Sequence, residues 1–296
     1  MSVVYPFDYR LKPDWAGMWE RGIREAWAND MIIKHGSINK AWDNYAKEYE
    51  EGEIKYSNRA KLVDRIVESG PDSVLDIGGG TGVFAIPLAR LVRRVVVVEP
   101  SKGMCDILEE KAKKEKLQNI TIIQQKWEDA IEGKLIKRNN GDLFDVVLTS
   151  HSLYYITNLH NSFLKMNNVT KGYVYLFTGC SGQIRDSEYE KLYLTLHKKP
   201  LPPYPDYSCI YMILREIGIQ PNIEMIDVKV KMPIKDIQEL IDKWKGYLGS
   251  KELSPSQEEA LRDYLSKRIR REDGQSYYYY EYKNALIYWR VERGRE

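Results

Sequence analysis

Three features of this 296-residue chain have residue types and spacing suited to chemistry: a glycine triplet, the carboxylates beside it, and one histidine. The triplet is Gly78, Gly80 and Gly82, in the run Val74, Leu75, Asp76, Ile77, Gly78, Gly79, Gly80, Thr81, Gly82. Glycine lets a backbone approach a ligand closely. A helix starting directly behind it turns free N–H groups toward the same ligand. Asp76 stands two positions before the first glycine. Glu99 ends a second apolar run, at about the distance where an acid meets ribose hydroxyls in a βαβ unit. An ionised Glu99 accepts two charge-assisted hydrogen bonds from adjacent hydroxyls. His151 follows a third apolar run, and an imidazole titrating near neutrality takes a proton from an O–H or N–H nucleophile.

The elements that must position these residues are legible in the apolar pattern. Val74 to Ile77 read as a buried strand, and Val83, Phe84, Ile86, Leu88, Leu91 and Val92 follow at helical spacing, with Pro87 predicting a kink. Arg94–Val98, Ile120–Ile123, Leu143–Thr149 and Gly172–Thr178 read as further strands, separated by helices near 101–116 and 161–169. Tyr207–Ile217 predicts a helix closed by Gly218. Asn222–Lys231, with Ile223 and Met225 inward, and Asn284–Val291 predict the last two strands. Ahead of this core, Trp15, Met18, Trp19, Gly22, Ile23, Ala26 and Trp27 mark an amphipathic helix with Asp14 as N-cap, and Arg59–Val67 marks another. Tyr189, Leu192, Tyr193 and Leu196 place a short helix in a proline-rich stretch. Helices are expected near 234–247 and 255–271, and Tyr277–Tyr282 alternates sides if extended.

The glycine spacing decides between ligands. A dinucleotide fingerprint needs a third glycine at 83, where the chain has Val83. With G-x-G-x-G preceded by Asp76, and with Glu99 downstream, the sequence resembles the class I S-adenosylmethionine (SAM)-dependent methyltransferases. Two further stretches resemble the small-molecule members similar to ubiquinone- and menaquinone-biosynthesis enzymes. One is Trp42-Asp43-Asn44-Tyr45-Ala46-Lys47-Glu48-Tyr49, and the other is Ser150-His151-Ser152-Leu153-Tyr154-Tyr155. The resemblance implies an α/β, doubly wound, Rossmann-like seven-stranded sheet of order 3-2-1-4-5-7-6, with helices on both faces and a helical cap. It implies a core over 59–296, a cap segment over 1–58, and cap insertions at about 180–205 and 233–282.

The resemblance also implies site residues. Tyr49, Asp76, Gly78, Gly79, Gly80, Gly82, Glu99, Pro100, Ser101, Met104, Trp127, Glu128 and Ser150 would hold the cofactor, with Met104 against adenine. At the third contact many members have Asp-Ala where this chain has Lys126-Trp127, and the Trp127 backbone with Glu128 is the reading taken. Trp42, Tyr45, Tyr154 and Tyr155 would meet the substrate. His151 would act as base or as a cofactor-loop residue. Tyr45 and Tyr49 share a helix face and read equally well as packing.

Composition narrows the rest. A net charge of +2 announces neither nucleic acid nor membrane. No run of about 18 apolar residues exists, and the start is no signal peptide. Cys105, Cys180 and Cys209 are odd in number and far apart, which favours a reducing, cytoplasmic setting over disulfides or a zinc site. The expectation is a metal-free methyltransferase, monomeric or homodimeric, that converts SAM to S-adenosylhomocysteine on a small-molecule acceptor by in-line displacement. RNA or protein methylation, resting on the 267–271 basic cluster, and a non-catalytic SAM-binding regulator are the rivals.

Overall fold

The computed structural model describes residues 13–24, 35–51, 59–180, 187–201, 205–247 and 252–293. Ala26, Trp27 and part of the 180–205 insertion lie outside them. Its centre is a mixed sheet of eight strands. Strand β1 (Ser73–Ile77), β2 (Arg94–Val98), β3 (Ile120–Ile123), β4 (Phe144–Ser150) and β5 (Thr170–Gly179) run parallel. Antiparallel to β5 lies β8 (Gln275–Arg290), which then pairs antiparallel with β6 (Asn222–Ile234). The order is β3-β2-β1-β4-β5-β8-β6, with β7 (Ile269–Glu272) as an addition on β8. Counting the final strand as the seventh recovers the order 3-2-1-4-5-7-6.

Runs of Val, Ile and Leu make β1, β2 and β4 central, because a parallel strand is covered on both faces. One face packs on α3 (Arg59–Glu68), α4 (Ala85–Ala89) and α5 (Lys102–Lys114), through Leu62, Ile66, Leu88 and Leu108. The other packs on α6 (Glu132–Arg138), α7 (Leu159–Val169) and α9 (Tyr207–Glu216), through Leu135, Phe163 and Ile213. Helix α1 (Trp15–Ile23) joins this second layer. Asp14 caps it, accepting from the Gly17 N–H at 2.8 Å. Trp19 is fully buried and donates from Nε1 to the Ile156 carbonyl at 3.1 Å.

Beyond the main sheet, β6 and β8 continue together as a ribbon. Leu192 and Leu196 of α8 (Ser187–His197), Leu240 and Trp244 of α10 (Ile237–Tyr247), and Leu261 and Leu265 of α11 (Pro255–Ser266) build a separate apolar core on it.

Several element boundaries differ from the sequence reading. The helix after the glycines is only the five residues of α4, with Pro87 in its first turn, where a missing N–H removes no intrahelical bond. The expected 255–271 helix stops at Ser266. Asp273 and Gly274 both take positive φ and turn β7 back onto β8, so the basic run 267–271 is partly strand. The tyrosine run, read as alternating if extended, is the outer half of β8. Met225, expected inward, is 41% exposed, because β6 is an edge strand whose register turns it outward.

Candidate functional site

At the carboxyl end of β1 the chain turns through Gly78, Gly80 and Gly82, all at positive φ. Close packing as well as φ demands glycine here. A Cβ on Gly79 would lie 2.7 Å from a Val97 methyl and 3.0 Å from Asp76 Oδ2, and one on Gly82 would lie 2.3 Å from Leu108 Cδ1. Asp76 therefore lies beneath the turn, 1% exposed. Among the described residues neither of its oxygens has a hydrogen-bond partner, and the buried Thr81 hydroxyl likewise has none there. Burial, and secondarily the Glu99 charge, push the Asp76 carboxyl up to about 7.

Glu99 follows β2 and is buried. Its Oε2 accepts from the Gly80 N–H at 3.0 Å and its Oε1 from the Ser101 N–H at 2.8 Å. Burial raises its pKa, while those two bonds pull it down. One lone pair on each oxygen is left over, the capacity that a pair of hydroxyl donors requires. Ser101 caps α5, its Oγ accepting from the Met104 N–H, and Met104 is buried in the first turn. Pro100, between the two, is half-buried.

The turn after β3 carries Trp127, buried in the core, and Glu128, whose side chain is exposed. Lys165 of α7 holds this turn by donating to the carbonyls of Trp127 (2.9 Å), Glu128 (3.0 Å) and Ala130 (2.9 Å), while its ammonium lies 4.9 Å from the Trp127 ring centroid.

After β4, half-buried Ser150 leads into His151, which takes φ +51° and donates its N–H to the Phe177 carbonyl at 2.8 Å. Its ring meets Phe177 edge-on at 5.1 Å, and Nε2 lies 3.5 Å from Asn284 Nδ2. Burial pushes the imidazole down to about 4. Ser152 Oγ donates to the Ile77 carbonyl at 2.8 Å, tying this loop to the glycine turn. Tyr154 is held in place: its hydroxyl accepts from the Gly179 N–H at 2.7 Å and bonds Thr178, and its ring stacks on Trp19.

Residues 74–172 match the family described as a methyltransferase domain, which spans this whole arrangement from Asp76 to Tyr155. That stretch is similar to a methyltransferase domain. The chain is 27% identical, over 225 residues, to an uncharacterized protein of Haemophilus influenzae, covering 75% of this chain and 77% of that protein. A shorter match, 36% over 78 residues, is to a ribosomal RNA small subunit methyltransferase A of Desulforapulum autotrophicum. It covers 26% of this chain and 28% of that protein. In fold the chain is similar to a putative methyltransferase from Bacillus halodurans, with TM-score 0.52 and 16% identity, covering 80% of this chain and 100% of that one. The YcgJ protein of Bacillus subtilis gives TM-score 0.51 and 17% identity, covering 80% of this chain and 99% of that one.

Outside the matched stretch, α2 (Ile38–Glu51) brings an aromatic group to its edge. Trp42 meets Tyr45 (5.8 Å between centroids), Tyr49 (5.9 Å) and, edge-on, Tyr155 (5.8 Å). The residues expected at cofactor and substrate thus fall in three groups. Gly78 to Gly82, Glu99 to Met104 and Asp76 form one, the Ser150–Tyr155 loop a second, and Trp42, Tyr45, Tyr49 and Tyr155 a third. Trp127 and Glu128 stand on their own turn. Reasoning from sequence gave no role to Asp43, Lys165, Ser152 or Asn284, all of which support these groups. Asp43 and Ser152 carried a signal, lying inside the Trp42–Tyr49 and Ser150–Tyr155 motifs.

Proposed function

We propose that the chain methylates a small-molecule acceptor through an O, N or C nucleophile, as a cytoplasmic enzyme working as a monomer or homodimer. What supports a small acceptor is the Trp42–Tyr155 contact. An aromatic wall closing on the loop after β4 suits an enclosed ligand better than a polymer strand. When bound, SAM supplies an activated, sulfonium-borne methyl. In this reading Glu99 accepts the ribose hydroxyls, and the glycine turn admits the cofactor backbone-close. Asp76, buried beneath that turn with its carboxyl pushed up to about 7, is drawn toward its charged form by a cationic cofactor. Tyr49, Ser101, Met104 and the Trp127–Glu128 turn line the nucleoside, and Trp42, Tyr45, Tyr154 and Tyr155 the acceptor. Holding nucleophile and methyl at about 3–3.5 Å carries most of the rate. His151 stays neutral at physiological pH and is the base where the nucleophile carries a proton.

The polymer alternative would rest on the basic cluster, where three of the cations also make contacts within the fold. Lys267 is paired with Glu188 and Asp263, Arg268 with Glu188, and Arg270 lies over the Tyr279 ring. Among the described residues no helix is long and apolar enough to cross a membrane.

Thermal unfolding with SAM, S-adenosylhomocysteine or NAD, each at about a hundred times a micromolar Kd, tests the cofactor. A true ligand stabilises by about 2.7 kcal/mol. Labelled-methyl transfer to a metabolite extract, to total RNA and to protein then separates the acceptors. Stabilisation by NAD alone would overturn the cofactor reading. Label in RNA or protein alone would overturn the small acceptor, and binding without any transfer would make the chain a regulator.

A further inference from the structure

Helix α2 presents two adjacent faces with different partners. Trp42, Tyr45 and Tyr49, at i, i+3 and i+7, form the aromatic wall. Asp43, Ala46 and Glu50 repeat the same spacing one residue on and face α5. There, Asp43 Oδ1 accepts from Ser101 Oγ at 2.7 Å and from the Gly103 N–H at 2.9 Å. Ala46 is buried, and Glu50 pairs with Lys111 at 2.8 Å. Gly103 permits the approach: a Cβ there would lie 2.9 Å from the Asp43 carbonyl oxygen and 3.4 Å from the Ala46 methyl.

Asp43 is more than a second helix cap. Ser101 already caps α5 through Met104, and the same Ser101 donates its own N–H to Glu99. Glu99 in turn holds the Gly80 N–H. The hydrogen bonds therefore run from the glycine turn through Glu99 and Ser101 to Asp43, and there enter the helix that carries the aromatic wall. An anion at the α5 N-terminus is also favoured by the helix dipole.

We propose that Asp43 is a positioning residue: it fastens the Trp42–Tyr45–Tyr49 wall to the turn carrying Glu99, so that filling the nucleoside site also orders the wall. The proposal rests on the reading of Glu99 as a cofactor residue. It deepens that reading by making the acceptor wall a consequence of cofactor binding.

Hydrogen exchange of the full chain, read by mass spectrometry with and without S-adenosylhomocysteine, tests it. In the wild type the ligand slows exchange both at 78–82 and over 38–51. Asp43→Ala keeps the slowing at 78–82, loses it over 38–51, and binds about tenfold more weakly. Asp43→Asn retains the Oδ1 acceptor and behaves as wild type. Gly103→Ala improves helix propensity yet crowds the Asp43 carbonyl, and so uncouples the two segments as Asp43→Ala does. Protection over 38–51 that survives Asp43→Ala overturns the proposal, as does Asp43→Asn behaving like alanine. Wild-type protection at 78–82 alone overturns it too, leaving the cofactor reading intact. No protection at 78–82 in the wild type overturns both.

Discussion

Gly78 and Ser152 sit so close that no side chain fits between them: a Cβ on Gly78 would lie 2.3 Å from Ser152 Cβ and 2.7 Å from its Oγ. The turn after β1 and the loop after β4 are thereby one packed unit, further joined by the bond from Ser152 Oγ to the Ile77 carbonyl. Gly78→Ala meets this clash and a φ of +69°, so it should destabilise the protein by about 2–4 kcal/mol and abolish stabilisation by S-adenosylhomocysteine. Gly80→Ala is the control. Its φ is +55°, but nothing lies within 4 Å of the added Cβ, and the cost should be only about 1–2 kcal/mol. Equal loss of stability in both variants, by urea denaturation, would contradict the packing argument.

Glu99 is engaged by two backbone donors before any ligand arrives. Glu99→Ala leaves the Gly80 and Ser101 N–H groups without their acceptor and removes the proposed ribose contacts. Affinity for S-adenosylhomocysteine, by titration calorimetry, should fall at least about a hundredfold, on the basis of roughly 1.5–3 kcal/mol for each hydrogen bond to a charged group. Near-wild-type affinity would remove Glu99 from the cofactor site.

Much of this was readable from sequence because it depends on local rules. The five parallel strands announce themselves as apolar runs, and the G-x-G-x-G turn and Glu99 have fixed places relative to them. What escaped depends on contacts distant in sequence. Lys165 gives no sign that it will hold three carbonyls on a turn 35 to 38 residues earlier. Asn284, fully buried on β8, meets His151 only because the last strand inserts beside β5. The Asp273-Gly274 hairpin, by contrast, was visible as a turn dipeptide. It was masked by reading the basic residues before it as a helix end.

Asp76 makes stability depend on pH in an unusual direction for a carboxylate. Its folded pKa is raised to about 7, so the native state holds a proton that the unfolded chain has released above pH 4. The stability it contributes is complete below about pH 4 and is lost progressively as pH rises to about 7. Asp76→Asn cannot ionise. Without ligand it should therefore match wild type near pH 4 and exceed it increasingly up to pH 7, by a few kcal/mol at most. Urea denaturation of both proteins across pH 4–8 reads the difference. A constant gap would mean that Asp76 does not titrate in this window.

His151 combines a left-handed backbone with a half-buried side chain, and the two consequences can be tested together. Its folded pKa is depressed to about 4, so the imidazole is neutral at physiological pH and accepts a proton without first having to lose one. His151→Asn keeps a residue type that tolerates φ +51° while removing the imidazole. If His151 is the base, this variant should lower turnover on a protonated nucleophile by about 10²–10⁴-fold and leave S-adenosylhomocysteine affinity within about threefold. The acid limb of the wild-type kcat/KM profile should then lie near pH 4, well below the value for a free imidazole. Stability gives a readout free of catalysis. A histidine with a lowered folded pKa contributes stability that is present above about pH 6.5 and lost as pH falls through about 4. Wild type should therefore lose stability relative to His151→Asn across that interval. Equal loss of affinity and turnover in the variant would make His151 a support for the cofactor loop, held by Phe177 and Asn284, in place of a base.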